Sequence, residues 1–204
     1  MRRFSRRGAL AATIAVLHPP PSRAQQAGAA VAVVEGFHAA LLDAMRNARA
    51  LGPRGRERRL RPAMQAAFDL PAMTRIAVGA PWTGLAEGER QALVSAFSDW
   101  VVATYASRFD GFSGESFATA GESGLKTGDR LVRTQLLRPN DAPVQLNYLL
   151  REREGRWRVV DIYLDGTISE LASRRAEFTA LLREGGAERL VAELRRRTGT
   201  LLGS

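Results

Sequence analysis

Few residues in this sequence could carry catalysis. His18 and His38 are the only histidines, and cysteine is absent. His18 falls in an amino-terminal segment interpreted below as an export signal, so a mature chain would keep His38 alone. The usual zinc sites need several histidine or cysteine ligands, and a Ser-His-Asp triad would have to use this single histidine, so both are disfavoured. Because His38 lies in an apolar helical segment, we expect a core or boundary residue.

Two serines lie in glycine-rich surroundings that look superficially like nucleophile turns. The segments 111–114 (Gly-Phe-Ser-Gly) and 121–124 (Gly-Glu-Ser-Gly) both lack the G-x-S-x-G spacing of a nucleophile elbow. We interpret both as turns. The sequence also contains no P-loop, dinucleotide fingerprint or metal-binding helix motif.

Paired carboxylates keep a hydrolase open as an alternative. Asp161 with Asp165, or Glu115 with Glu122, could in principle perform glycosidase chemistry. Asp161 also interrupts an otherwise apolar strand, so its carboxylate needs a buried partner. We expect that partner to be Arg133 on a neighbouring strand.

Alternating apolar and polar residues predict the sheet that must position these groups. The predicted strands span residues 116–121, 131–137, 144–150 and 157–164, with glycine- and proline-rich turns between them. Short turns make consecutive strands antiparallel neighbours. The last strand alternates Trp157, Val159, Asp161 and Tyr163 on one face with Val160, Ile162 and Leu164 on the other. It is apolar on nearly both sides, so we expect it to be central and covered by helices.

Helical periodicity is seen in the sequence both before and after the predicted strands. Helices are predicted over residues 29–51, 55–68, 86–109, 168–184 and 187–202, with Gly185 and Gly186 separating the last two. A short helix begins at Leu70 and Pro71, with Asp69 as its N-cap. The predicted fold class is α+β, with a four-stranded antiparallel sheet covered by helices.

The amino terminus carries the pattern of an export signal. A basic head (Arg2, Arg3, Arg6, Arg7) precedes an apolar run at 9–17 and a small-residue cleavage pattern ending at Ala24. The apolar run is about half the length that spans a bilayer. The pair Arg6 and Arg7 after a serine also resembles a twin-arginine signal, so both export routes stay open. We therefore expect a signal at 1–24 and one domain at 25–204 in the periplasm.

Removing the signal changes the charge balance of the chain. The full sequence carries a net charge of +9, but residues 25–204 contain 25 basic and 21 acidic residues. An exported chain with this modest excess is not expected to bind nucleic acid. The densest basic run, residues 54–61, is open to two interpretations, a solvated helix face or a surface that docks an anionic lipid or an acidic partner.

Several short segments, in this order and spacing, resemble the MlaC or toluene-tolerance family of periplasmic lipid carriers. They are Phe68-Asp69 with Met73, Gly79 and Trp82; Thr104-Tyr105-Ala106 with Phe109; Tyr148-Leu149-Leu150; the run 157–162; and Gly166 to Ser169. The resemblance implies an NTF2-like fold around a deep apolar lipid cavity, with no chemistry and no cofactor. It also implies a carrier, which we expect to be monomeric, that shuttles phospholipid between an outer-membrane complex and an inner-membrane transporter.

One departure from the family pattern points to a branch. Asp165-Gly166-Thr167-Ile168-Ser169 has an extra residue between the glycine and the small apolar position, and the run 108–115 is similar to the hopanoid-associated HpnM branch. The cargo could then be a hopanoid or a phospholipid. An HpnM relative would be expected to work with an RND-type inner-membrane exporter, whereas other members work with an ABC transporter.

A lipid carrier needs an enclosed apolar cavity. A lipid with about 30 methylenes gains on the order of 24 kcal/mol from full enclosure, so we expect a cavity deeper than an ordinary ligand cleft. The predicted lipid-binding residues combine apolar faces with family position, and we expect about half of them to contact lipid. They are Met73, Ile76, Val78, Phe97, Val101, Tyr105, Val132, Leu146, Tyr148, Val160 and Ile162.

Three functions of different classes therefore stand at this point. The first is a periplasmic lipid-transfer protein. The second is a periplasmic hydrolase that uses paired carboxylates. The third is a ligand-free envelope adaptor that docks through the arginine-rich helix.

Overall fold

The computed structural model describes residues 23–203 of the chain, with side chains described from residue 28. In this range five α-helices and one short 3₁₀ helix, Ala80–Gly84, accompany a five-stranded antiparallel sheet. The helices are α1 Arg23–Arg46, α2 Ala48–Ala67, α3 Leu70–Val78, α4 Glu87–Arg108 and α5 Glu170–Leu202. The strands are β1 Ser116–Gly124, β2 Arg130–Arg138, β3 Asp141–Arg153, β4 Arg156–Leu164 and β5 Ile168–Ser169, which neighbour one another in chain order. The α+β prediction is confirmed.

The predicted count of four strands is wrong by one. The sequence assigned Ile168 and Ser169 to the start of a helix, but both are extended and pair with Leu164 and Tyr163. Ser169 is the N-cap of α5, because its hydroxyl accepts a hydrogen bond from the backbone N–H of Ala172 at 2.9 Å. A residue that caps a helix keeps an extended backbone, which leaves these two residues free to join the sheet.

The predicted break at Gly52 is present, but another break that the sequence did not predict lies ahead of it. The sequence predicted one helix over 29–51, whereas α1 ends at Arg46 and α2 begins at Ala48. A second break lies inside α2 at Gly52, where φ is 61° and ψ is 177°. This positive φ suits glycine, and it interrupts the helix between residues 48–51 and the basic run at residues 54–61.

The short helix α3 starts as predicted. The carboxylate of Asp69 accepts the backbone N–H of Ala72 at 3.0 Å, and Pro71 occupies the first turn. The backbone N–H of Asp69 also donates to the carbonyl of Val159 at 2.9 Å, and Phe68 forms an isolated bridge with Val159. These bonds anchor the start of α3 on β4.

A β-bulge in β4 overturns the predicted face assignment of that strand. Val159 lies opposite Leu150, and Asp161 lies opposite Leu149, so Val160 is the extra residue between them. The bulge reverses the alternation that follows it. Ile162 therefore shares a face with Val159 and with its partner Tyr148, while Asp161 faces the other way.

The last helix is kinked where the sequence predicted a separation. The backbone leaves helical geometry at Gly185 and at Gly186, whose φ is 67°. The two predicted helices are therefore two arms of α5, which begins at Glu170.

One stretch of α1, Gly28–Arg46, is long and apolar enough to cross a bilayer, a criterion that core helices and signal sequences also meet. In the structure Val34, Phe37 and Leu41 of this stretch are buried in the core. The predicted export signal lies almost wholly in residues 1–22, outside the described residues.

Candidate functional site

An apolar cavity of about 330 Å³ lies between α4, the start of α5 and one face of the sheet. Most of its wall is aromatic or aliphatic. The lining residues are Met73, Phe97, Trp100, Val101, Thr104, Tyr105, Arg108, Phe109, Leu136, Val144, Leu146, Ile162, Leu164, Glu170, Leu171 and Arg174.

Two regular elements explain how these residues meet. On α4 the lining positions recur at intervals of three and four from Phe97 to Arg108, as one face of a helix requires. On the sheet, Leu136 lies directly opposite Val144, and Leu146 directly opposite Leu164. Residues opposite each other share a face, so these two cross-strand pairs form an apolar wall facing α4.

Six of the eleven predicted lipid-binding residues line this cavity. They are Met73, Phe97, Val101, Tyr105, Leu146 and Ile162. Their contact with lipid stays a prediction, but the structure brings them together around one volume.

The other five predicted residues lie away from the cavity wall: Ile76, Val78, Val132, Tyr148 and Val160. Ile76 is half-buried and the rest are buried. Tyr148 and Val132 pair with each other on the helix-covered face, and Tyr148 contacts α1 there. Val160 is the bulged residue of β4. The geometry of this structure gives these residues packing roles.

Ten lining residues were not chosen from the sequence. Trp100, Thr104 and Phe109 recur at helical spacing with Phe97 in the predicted helix 86–109, so the periodicity that found Phe97 could have found them as well. Leu164 shares its predicted face with Ile162, so the same alternation could have found it. Glu170, Leu171 and Arg174 reach the cavity because α5 packs beside α4, an arrangement that sequence periodicity does not encode.

The cavity is smaller than the sequence argument required. Ligand pockets span roughly 300–1,000 Å³, and this one, at about 330 Å³, lies at the low end. Full enclosure of two acyl chains therefore requires the walls to separate further than they do in this structure.

Polar groups gather at one side of the cavity. The Arg174 guanidinium lies 5.5 Å from the ring centroid of Trp100, and its nearest carboxylate oxygen, on Glu177, is 3.9 Å away. Burial raises the pKa of Tyr105 above its ordinary value, with Arg108 opposing this rise and Glu170 adding to it. The Tyr105 hydroxyl therefore stays protonated and uncharged beside the apolar wall.

A basic groove of about 310 Å³ adjoins this side of the cavity. It shares Trp100, Thr104, Arg108 and Arg174 with the cavity wall. Its other lining residues are Ser107, Arg196, Arg197, Thr200 and Leu201. The lining therefore changes from apolar to arginine-rich across four shared residues.

His38 is a core residue, as the sequence predicted. Its Nε2 atom lies 3.0 Å from the Tyr148 hydroxyl, and its ring stacks on Phe117 with centroids 3.8 Å apart. Burial lowers its pKa to about 4. The ring is thus neutral at physiological pH and is placed away from the cavity wall.

The carboxylates considered for hydrolysis have structural partners. Asp161 accepts hydrogen bonds from the backbone N–H of Ile162 at 2.8 Å and the Ser169 hydroxyl at 2.6 Å. The predicted partner Arg133 is wrong, because its guanidinium donates to Ser123 on β1. Arg133 lies on β2, and β3 separates β2 from β4, so Arg133 and Asp161 are not on neighbouring strands.

The second carboxylate pair is also engaged. Glu115 accepts the backbone N–H of Ser113 at 2.6 Å, and Glu122 pairs with Arg130 at 3.3 Å. Within the described part of the chain, no group of three histidine, cysteine, aspartate or glutamate side chains is placed to hold a metal ion.

The arginine-rich helix is largely tied into the fold. Arg56 is buried and donates to the carbonyls of Ala106 at 2.7 Å and Ala48 at 3.2 Å. Arg59 pairs with Asp43, and Arg61 pairs with Glu57 and Asp99. The interpretation as a uniformly solvated face is therefore wrong for Arg56, and a docking surface would have to use the exposed Arg54 and Arg58.

Comparisons with known proteins agree with this architecture. The family model of the MlaC protein matches residues 35–196. A solved structure of the phospholipid-binding protein from Ralstonia solanacearum, in complex with a phospholipid, is similar with a TM-score of 0.74 and 21% identity. The match covers 84% of this chain and 98% of that chain. At this identity the likeness shows a shared fold. No curated protein matches the sequence.

Proposed function

The chain belongs to the MlaC protein family, and on that basis we propose that it is a periplasmic lipid-binding and transfer protein. The observation that carries this proposal is the apolar cavity between α4 and the sheet. Apolar walls favour acyl chains because each methylene removed from water contributes about 0.8 kcal/mol. The phospholipid complex of the Ralstonia protein, which shares the fold, supports the same class of cargo.

The finer parts of the proposal concern cargo and route. We propose that residues 25–204 form one carrier domain, released from a signal at 1–24, that acts as a monomer. The cargo is a phospholipid or a hopanoid carried between the inner and outer membranes. The inner-membrane partner is an ABC-type transporter, or an RND-type exporter if the chain belongs to the HpnM branch, and an outer-membrane complex would be the other partner.

We propose no catalytic role. Three of the four carboxylates that favoured a hydrolase, Asp161, Glu115 and Glu122, are engaged with neighbouring groups. We do not propose an adaptor that docks through the arginine-rich helix, because Arg56 is buried against backbone carbonyls and Arg59 and Arg61 are held in ion pairs with Asp43 and Asp99.

Native mass spectrometry of the mature protein from its own periplasm, followed by lipid extraction, tests the proposal. We expect a monomer that carries about one lipid. An empty protein that also takes up no lipid from vesicles would overturn the carrier function.

A matched pair of variants tests whether the cavity is the site. Val101→Phe adds a ring at a lining position, and Val94→Phe adds the same ring two turns earlier on α4, outside the lining residues. We expect Val101→Phe to lower lipid uptake several-fold and Val94→Phe to retain it. Thermal unfolding of both proteins separates a blocked cavity from a damaged fold. Equal uptake by two folded variants would place the lipid elsewhere.

A further inference from the structure

The junction between the apolar cavity and the basic groove has the composition of an amphiphile site. On one side lie the aliphatic and aromatic walls, and on the other lie four arginines, Arg108, Arg174, Arg196 and Arg197. Trp100 and Thr104 belong to both linings. A lipid whose chains occupied the cavity could therefore reach the groove with its polar end without crossing another surface.

The two outer arginines of the groove are already engaged. Arg196 donates two hydrogen bonds to Glu193, at 2.9 and 2.7 Å. Arg197 donates to Glu193 at 2.8 Å and also to Glu177. These pairs neutralise much of the charge at the far end of the groove, and they hold its wall in place.

The two arginines at the junction have donors to spare. The Nε atom of Arg174 is buried and finds no hydrogen-bond partner among residues 28–203. Within the same residues Arg108 makes no hydrogen bond or ion pair, and its side chain is exposed at the rim. A buried guanidinium N–H left without an acceptor is costly, so the site favours a ligand that brings acceptor oxygens.

The neighbouring hydroxyls are poor substitutes as donors. Thr104 donates to the carbonyl of Trp100 at 2.8 Å, and Thr200 donates to the carbonyl of Arg196 at 3.2 Å.

Glu170 is the one carboxylate among the cavity-lining residues. Among the residues that line the cavity, two guanidinium groups therefore face a single carboxylate.

We propose that Arg108 and Arg174 form a subsite for the phosphate of a lipid headgroup, with the acyl chains of the same molecule in the adjoining cavity. Arginine suits this role because its planar fork of N–H donors matches phosphate oxygens. The subsite rests on the proposed lipid-carrier function and assigns its cargo to phosphate-bearing lipids. An uncharged hopanoid would leave both guanidinium groups unsatisfied.

Competition within a single vesicle preparation tests this subsite. The vesicles contain phosphatidylglycerol, phosphatidylethanolamine, diacylglycerol with the same acyl chains, and the uncharged hopanoid diploptene. Because every cargo comes from the same surface, attraction of the protein to that surface cannot bias the ratios. The protein is re-isolated, and its lipids are extracted and quantified. We expect both phospholipids to exceed diacylglycerol and diploptene by about tenfold or more, as hydrogen bonds to a charged group would produce.

Three variants identify the residues responsible. Arg108→Gln and the double variant Arg108→Gln/Arg174→Gln should lower the ratio of phospholipid to diacylglycerol by roughly tenfold per arginine. Arg195→Gln, an exposed arginine of α5 outside the groove lining, should leave the ratio unchanged. If the double variant does not fold, Arg108→Gln carries the test, because this exposed side chain adds little to the core.

The outcomes separate the subsite from the carrier function. Wild-type protein that takes up no lipid overturns the carrier function. Lipid uptake with the same phospholipid preference in the folded variants overturns the subsite and leaves the carrier intact. Inorganic phosphate, titrated by calorimetry without lipid, should bind too weakly to detect. Tight phosphate binding that Arg108→Gln abolishes would instead make the junction a free-phosphate site and would overturn the headgroup assignment.

Discussion

The Nε2 atom of His38 and the hydroxyl of Tyr148 lie 3.0 Å apart, and this buried hydrogen bond joins α1 to the centre of β3. Phe117 stacks on the imidazole from β1, so the ring is packed against two strands. Burial lowers the pKa of His38 from 6.5 to about 4, which means that the folded protein holds this ring in its neutral form. The contact therefore makes the attachment of α1 to the sheet sensitive to acid.

His38 should make folding stability depend on pH between about 6.5 and 4. In this window the unfolded chain binds more protons at His38 than the folded protein does, so the free energy of unfolding falls as the pH falls. The expected loss between pH 7 and 4.5 is about 2 to 3 kcal/mol. His38→Gln keeps a polar group there but cannot titrate, so its loss over the same range should be smaller by that amount. Urea unfolding at the two pH values measures both proteins, and parallel losses would contradict the assignment.

Arg56 should be a stability residue of the arginine-rich helix. Its guanidinium donates to the carbonyls of Ala106 and Ala48 from a buried position. Arg56→Met removes both donors and should lower the free energy of unfolding by about 2 kcal/mol. The matched change Arg58→Met, at an exposed position of the same helix, should stay within about 0.5 kcal/mol. Denaturant unfolding compares them, and equal effects would show that Arg56 acts as one more surface charge.

Asp161 should hold the start of α5 against β4. Its carboxylate accepts the Ser169 hydroxyl and the backbone N–H of Ile162. Asp161→Asn replaces one acceptor oxygen with an NH₂ group that faces donors, so we expect a loss of about 2 kcal/mol in unfolding free energy.

Lipid uptake separates this role from catalysis. The control Asp165→Asn changes an exposed residue with a φ of 48°, a conformation that asparagine tolerates. Both folded variants should keep lipid uptake. A hydrolytic activity of the wild type that Asp161→Asn abolishes without loss of folding would revive the hydrolase alternative.

Local chemistry made several elements predictable from sequence. The three adjacent residues Asp69, Leu70 and Pro71 are enough to predict the start of a helix. In the structure α3 starts there with the expected side-chain hydrogen bond. The apolar face of α4 from Phe97 to Tyr105 is set by the helical repeat, and it supplied three of the six predicted residues that line the cavity.

Features that depend on residues far apart in the sequence could not be predicted from local sequence patterns. The bulge at Val160 leaves no mark on the alternation of β4, yet it moves Ile162 onto the cavity face and Asp161 onto the opposite face. Arg174 looks like any other surface arginine of a helix. Only the packing of α5 beside α4 brings its guanidinium over the Trp100 ring and to the edge of the cavity.

Glu170 should tune the preference among phosphate-bearing lipids. This carboxylate lines the cavity together with Arg108 and Arg174, and it would attract the ammonium group of phosphatidylethanolamine and repel the net negative charge of phosphatidylglycerol. Glu170→Gln should therefore raise the ratio of phosphatidylglycerol to phosphatidylethanolamine several-fold in protein loaded from mixed vesicles. The matched change Glu188→Gln, at an exposed position on the second arm of α5, should leave this ratio as it is in the wild type. An unchanged ratio in folded Glu170→Gln would mean that the headgroup lies beyond the reach of this carboxylate. A shift in Glu170→Gln that is absent from Glu188→Gln would place the headgroup beside the first turn of α5.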